Sequence, residues 1–195
     1  MNDVVLKPEQ IENNWNYLKG LLKSVKRDGI DDLIAYIEST DFKLSPASTQ
    51  YHHSYIGGLV VHTIEVYKNA VELNKVMKFK IKDEELIMAS ILHDLCKANT
   101  YNVEKRNKKI NGQWHEVDAF TFDDKWPIGH ASKSVIVAQM FVKLTDLEVS
   151  MMIGHMGPYA GDPNRYTQLA EKYPEIILLH TADMLSSKGE KIYEK

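Results

Sequence analysis

A histidine and an aspartate stand side by side in "ILHDLCK", residues 91–97, where an apolar run closes. Imidazole and carboxylate are the ligand types of catalytic metal ions, and other residues of these kinds recur along the chain. In "GGLVVHT", His62 shares a helical face with Leu59 and Val66; His155 follows Met151 and Met152, and Asp183 follows Leu179. Such faces point inward. An aspartate aimed at an apolar interior costs on the order of several kcal/mol unless a cation or dense hydrogen bonding meets it. Taken singly, each histidine also reads as a satisfied core or surface residue, and Asp183 as a cap or a hydrogen-bonded carboxylate. On a regular helix His93 and Asp94 diverge by about 100°, yet at a helix end such a pair can approach one metal cluster from two sides.

The elements that must position these residues are mostly helical. Ile11, Trp15, Leu18 and Leu22 recur three or four apart, which predicts an amphipathic helix over 8–25, with Pro8 in its first turn and Gly29 as a break. A shorter helix follows through "IDDLIAYIES", then an extended connection around Pro46. Helices are expected over 59–73 and 83–98, the second with acidic residues in its first turn. "YNVEKRNKKINGQWHEVDAFTF" changes to β-branched and aromatic residues around a turn-rich "NKKING", which predicts a hairpin with a loop of several residues. Helical patterning resumes over 129–143, 146–155, 166–172 and 174–187. The fold class expected is all-α with one inserted β-hairpin at about 101–124, as a single domain over 1–195.

Composition narrows the function classes. At 195 residues, with 44% hydrophobic and 26% charged, the chain can bury a core without staples. A net charge of −3 argues against a protein that coats extended nucleic acid. Cys96 is the single cysteine, so no internal disulfide forms and nothing points to secretion; a small buried packing residue is the plain reading. "MNDVVLKPEQIENN" lacks the pattern of a signal peptide, and no apolar stretch has membrane-spanning length. A cytoplasmic protein is expected.

The order of a histidine, an adjacent His-Asp pair and a late aspartate resembles the H…HD…D signature of the HD-domain superfamily of metal-dependent phosphohydrolases. His62 in "GGLVVHT", His93 and Asp94 in "ILHDLCK", and Asp183 in "HTADMLSS" carry the match across about 50–187, with 1–45 as a helical extension. "HHSYIGGLVVHT" followed by "LHDLCK" is similar to the HD module of bacterial 3′–5′ exoribonucleases. "WPIGHASKSV" and "GHMG" are similar to short stand-alone HD hydrolases of bacteria and phages. Two-metal members of the superfamily add two histidines before the last aspartate, and His130 and His155 stand in that interval. The resemblance then implies one metal on His62, His93, Asp94 and Asp183, and a second on Asp94, His130 and His155, with Asp94 bridging. The two divalent transition-metal ions expected are iron, manganese, nickel or zinc.

By the same resemblance Lys97, three residues after Asp94, faces the phosphate; a solvated lysine favoured by the helix dipole is the alternative. His53, in the "HH-x-Y-x-GG" run, is the candidate for orienting a leaving group, with loop packing as the alternative. Lys133 stands one turn after His130 and Arg165 follows the "GPYAGDPN" loop, both candidates for substrate phosphate and both readable as solvated cations. The expected function is hydrolysis of a phosphodiester of a nucleotide, cyclic nucleotide or short oligonucleotide by a metal-activated hydroxide. Phosphomonoester cleavage and mixed-valent di-iron oxygenation are the other readings that the resemblance leaves open. The expected partner is a small phosphorylated substrate, with no membrane.

Overall fold

The structure, a computed structural model, describes residues 5–158 and 161–193, with side chains through 189. Eight helices and one hairpin follow in order: α1 Pro8–Ser24, α2 Ile30–Glu38, α3 Gly58–Met77, α4 Asp83–Leu92, β1 Tyr101–Ile110, β2 Gln113–Phe122, α5 His130–Gln139, α6 Asp146–Gly154, α7 Pro163–Lys172 and α8 Ile176–Tyr193. This is the all-α bundle with one inserted hairpin that the sequence predicts.

The apolar stripes explain the packing. Trp15, Leu18 and Leu22 turn one face of α1 inward onto α2, α3 and α4. α3 lies between α8 and α4, and α6 packs on α4 and α8. Leu59, Val66, Leu92, Met151 and Leu179 are fully buried along these contacts. The core is therefore continuous around the helices that carry the polar residues of interest.

Several helix ends shift by a few residues, and two differences change the local geometry. The helix predicted over 83–98 ends at Leu92; His93 is its cap and Leu95–Lys97 form a tight 3₁₀ turn. The His93 ring donates Nδ1–H to Ser90 O at 2.6 Å, and Asp94 leaves helical geometry at φ −110°, ψ 17°. The break lets two adjacent side chains converge instead of diverging by about 100°. In the hairpin, the strands run on through "NKKING" and turn on two residues alone, Asn111 at φ 49° and Gly112 at φ 85°. Positive φ at both central positions is the Asn-Gly turn whose twist matches the flanking strands. The Lys- and Asn-rich context hid that short signal.

A third feature ties the bundle together. Arg27, after α1, donates to both oxygens of Glu148 at 2.8 and 2.9 Å, to Glu84 Oε1 at 2.5 and 3.0 Å, and to Lys143 O at 3.1 Å. Glu148 is fully buried and also closes the capping box of α6 with Thr145. The Glu148 carboxylate, against the opposing effect of burial, holds the guanidinium above its ordinary pKa.

Candidate metal centre

α3 supplies His62, the end of α4 supplies His93 and Asp94, α5 opens on His130, α6 closes on His155, and α8 supplies Asp183. Their rings form a continuous series: His62 and His93 have centroids 5.4 Å apart, His93 and His155 5.0 Å, His155 and His130 5.8 Å. Asp94 stands at the centre. Its Oδ2 lies 3.5 Å from His62 Nε2 and 3.3 Å from His93 Nε2, while Oδ1 lies 2.5 Å from His130 Nε2. Asp183 Oδ1 is 3.2 Å from His62 Nε2. All six expected residues thus meet at one place.

Hydrogen bonds fix which nitrogens face inward. A carbonyl can only accept, so His93 and His155 carry their protons on Nδ1, toward Ser90 O and Met152 O. Ser186 donates its hydroxyl hydrogen to Glu65 Oε2 at 2.8 Å, and therefore accepts from His62 Nδ1 at 2.9 Å. In the neutral rings the Nε2 lone pairs of His62 and His93 then point at carboxylate oxygens, and both atoms are buried with no hydrogen-bond partner among the described residues. Burial pushes the His62 pKa down, but Asp183 and Asp94 outweigh it and raise it. Lone pairs turned on carboxylates need a cation between them, and a divalent metal ion fits this donor set. His62, His93 and Asp94 offer ligand atoms within 4.8 Å of one another, as do Asp94, Cys96 and His130.

The protonation pattern follows from the same contacts. Burial disfavours the Asp94 carboxylate, but Lys97, His93 and His130 outweigh it and hold it well below the usual carboxylate range. Burial likewise pushes the His130 imidazole down, and Asp94 holds it up at about 10 instead. Burial and the neighbouring His93 push His155 down to about 4, so it is neutral and ligand-ready near pH 7.

A cavity of about 310 Å³ opens over the centre, and Asp94, Lys97, His130, His155 and Asp183 reach it. Lys97 Nζ sits 2.6 Å from Asp94 Oδ2, with its side chain 12% exposed. Three expected residues stand elsewhere. His53, at φ 45°, sets its ring 3.1 Å from Glu65 and is absent from the cavity lining, where His52 stands. Lys133 gives its ammonium to Asp124 Oδ1 at 2.6 Å. Arg165 is exposed on α7, away from the cavity lining.

The residues missed are those that act through others. Glu65 and Ser186 each stand three positions after an expected ligand, His62 and Asp183, a helical offset that could have found them. Cys96 Sγ lies 3.1 Å from His130 Nδ1, so it helps to orient that ring; a separation of 34 residues gave no such signal.

Gly57 and Gly58 make the turn into α3. Gly57 has φ 82°, and a Cβ on Gly58 would fall 2.0 Å from the His53 carbonyl oxygen. That oxygen also accepts from Ala47 N, so it has little room to retreat. Gly58→Ala is expected to destabilise the fold by about 1–3 kcal/mol, read by urea denaturation. An unchanged midpoint would show that the loop yields without cost.

Among the described residues, no helix is long and apolar enough to cross a membrane. Comparison with known proteins agrees with the site. The HD domain family matches residues 59–187. A dihydroneopterin 2′,3′-cyclic phosphate phosphodiesterase of Methanocaldococcus jannaschii is 28% identical over 149 residues, covering 74% of this chain and 52% of the relative. The chain thus spans about half the length of that curated relative. No solved structure matches it significantly. With the family match spanning every histidine and aspartate of the centre, the chain belongs to the HD domain family.

Proposed function

We propose that this protein is a metal-dependent phosphohydrolase that cleaves a phosphodiester of a small nucleotide-like molecule, a 2′,3′-cyclic phosphate foremost. The observation that carries this reading is the split of Asp94: one oxygen faces His62 and His93, the other faces His130. A carboxylate so placed suits two ions, one held by His62, His93, Asp94 and Asp183 and the other by Asp94, His130 and His155. Bound there, divalent ions such as iron, manganese, nickel or zinc would supply activated water and polarise phosphoryl oxygens.

The chain's own groups then divide the remaining work. Lys97 presents its ammonium to the cavity and meets a non-bridging phosphate oxygen. Ser186 and Glu65 hold His62 in the tautomer that turns Nε2 inward. Burial, with the positive neighbours His62 and Lys97, pushes His52 down to about 3, so a neutral imidazole faces the substrate. The cyclic-phosphate preference draws on the similarity to the archaeal phosphodiesterase. A cavity of this size suits one nucleotide better than a long strand. The core running unbroken from Trp15 to Ala182 supports treating the whole chain as one unit, with α1 and α2 as an extension of the metal-binding bundle.

The test is reconstitution. Chelator-treated protein is expected to lose hydrolysis of adenosine 2′,3′-cyclic phosphate and to regain it with manganese, iron, nickel or zinc, at two equivalents by elemental analysis. Chelation should also lower Tm by about 5–10 °C, since ligand at a hundred times Kd adds about 2.7 kcal/mol. Turnover undiminished by chelation, a preference for p-nitrophenyl phosphate, or substrate-dependent oxygen consumption would each overturn the reading.

A further inference from the structure

The cavity has an aromatic wall that the metal centre does not use. Tyr101 and Phe122 are partners in the first rung of the hairpin, their rings edge to face with centroids 5.7 Å apart. Both line the cavity that Asp94, Lys97, His130 and Asp183 reach. Tyr101 is held in place, since its hydroxyl donates to Ala47 O at 3.2 Å. Phe122 is 54% exposed, an apolar ring left in water beside a strongly polar floor.

Register extends this wall by one rung and then stops it. Residues paired across an antiparallel ladder share a face, and alternate pairs repeat along it. Val103 and Phe120 therefore follow Tyr101 and Phe122 on the same face. The next pair on that face, Lys105 and Asp118, is an ion pair at 2.7 Å. Two rungs on one face span roughly 7 Å along the strand, at about 3.4 Å per residue, which is the size of one planar ring system.

The geometry points to Tyr101 and Phe122 as the binding shelf for a planar heteroaromatic ring carried by the substrate, and thus as the residues that set its class: a nucleoside-like phosphodiester rather than a plain sugar or glycerol phosphate. The inference rests on the hydrolysis proposed above. A ring lying on Phe122 keeps its phosphate within the same cavity as Lys97 and Asp94, while stacking supplies affinity without selecting one base over another. Hydrogen-bond readout of a base edge is not required.

Two cyclic phosphates separate the shelf from the chemistry: adenosine 2′,3′-cyclic phosphate, and glycerol 1,2-cyclic phosphate, which has the same five-membered ring and no base. Using the metal-loaded full chain, Phe122→Leu is expected to raise KM for the adenosine compound roughly tenfold, with kcat nearly unchanged. Its kinetics on the glycerol compound should stay as in the wild type, and Phe122→Trp should restore the adenosine KM. The exposed position of Phe122 keeps the substitution outside the core, and circular dichroism checks the fold directly. Equal losses on both compounds, no loss on either, or failure of tryptophan to rescue would overturn the shelf. A wild type that hydrolyses both without preference overturns the shelf alone; one that hydrolyses neither overturns the proposed activity with it.

Discussion

Asp94→Asn is expected to lower kcat by more than roughly a thousandfold and to remove metal from the protein. Loss of one charge-stabilising donor in an active site typically costs about 10²–10³. Asp94 serves more than one: its two oxygens face His62 and His93 on one side and His130 on the other, while Lys97 lies against Oδ2. Asparagine keeps the shape but offers neutral oxygen on one side and an N–H donor on the other. A donor turned toward either imidazole set repels a cation, so neither proposed ion keeps its full shell. Elemental analysis and turnover of a 2′,3′-cyclic phosphate check both halves. A variant that keeps two equivalents of metal and a tenth of the activity would remove Asp94 from the centre of the assignment.

The largest effect expected on stability lies far from the cavity. Arg27→Ala should cost about 3–5 kcal/mol, because it strands the fully buried Glu148 without its partner. For a chain of this length each kcal/mol moves Tm by about 2–4 °C, so a fall of about 10 °C is expected in a thermal melt. Glu148 also closes the α6 cap with Thr145, and Glu84 belongs to the first turn of α4, so the clamp joins two helices that deliver site residues. The double variant Arg27→Met with Glu148→Leu should recover most of the loss, since apolar replacement of both partners removes the stranded charge. A shift below about 2 °C for the single variant would mean that water reaches Glu148 and the clamp contributes little.

Much of this molecule is legible in its sequence, and the parts that are not lie outside what hydrophobic spacing records. Helical spacing places His62 and Asp183 on inward faces because periodicity is a local property. The meeting of His93 with Asp94 depends on where the helix ends, at Leu92, which periodicity alone does not mark; the His93 ring bonds back to Ser90 O. His52, not His53, lines the cavity, and His53 has a positive φ that spacing does not reveal. Lys133 and Arg165 read as candidates on proximity in sequence, yet Asp124 takes the first and solvent the second. Cys96 reads as packing, and only the folded chain brings its sulfur to His130. Helix ends, positive-φ residues and contacts such as that of Cys96 with His130 leave little trace in hydrophobic spacing.

The hairpin is fastened at its first rung and packs chiefly on itself beyond it. Its outer stretch, residues 104–118, is almost wholly exposed and reverses on Asn111 and Gly112. Substitutions there touch neither the helical core nor the histidines of the metal centre, so this segment can vary without disturbing either. The arm can be lengthened, shortened or recharged without touching the residues that line the cavity. The fold thereby separates what is inherited from what can be tried.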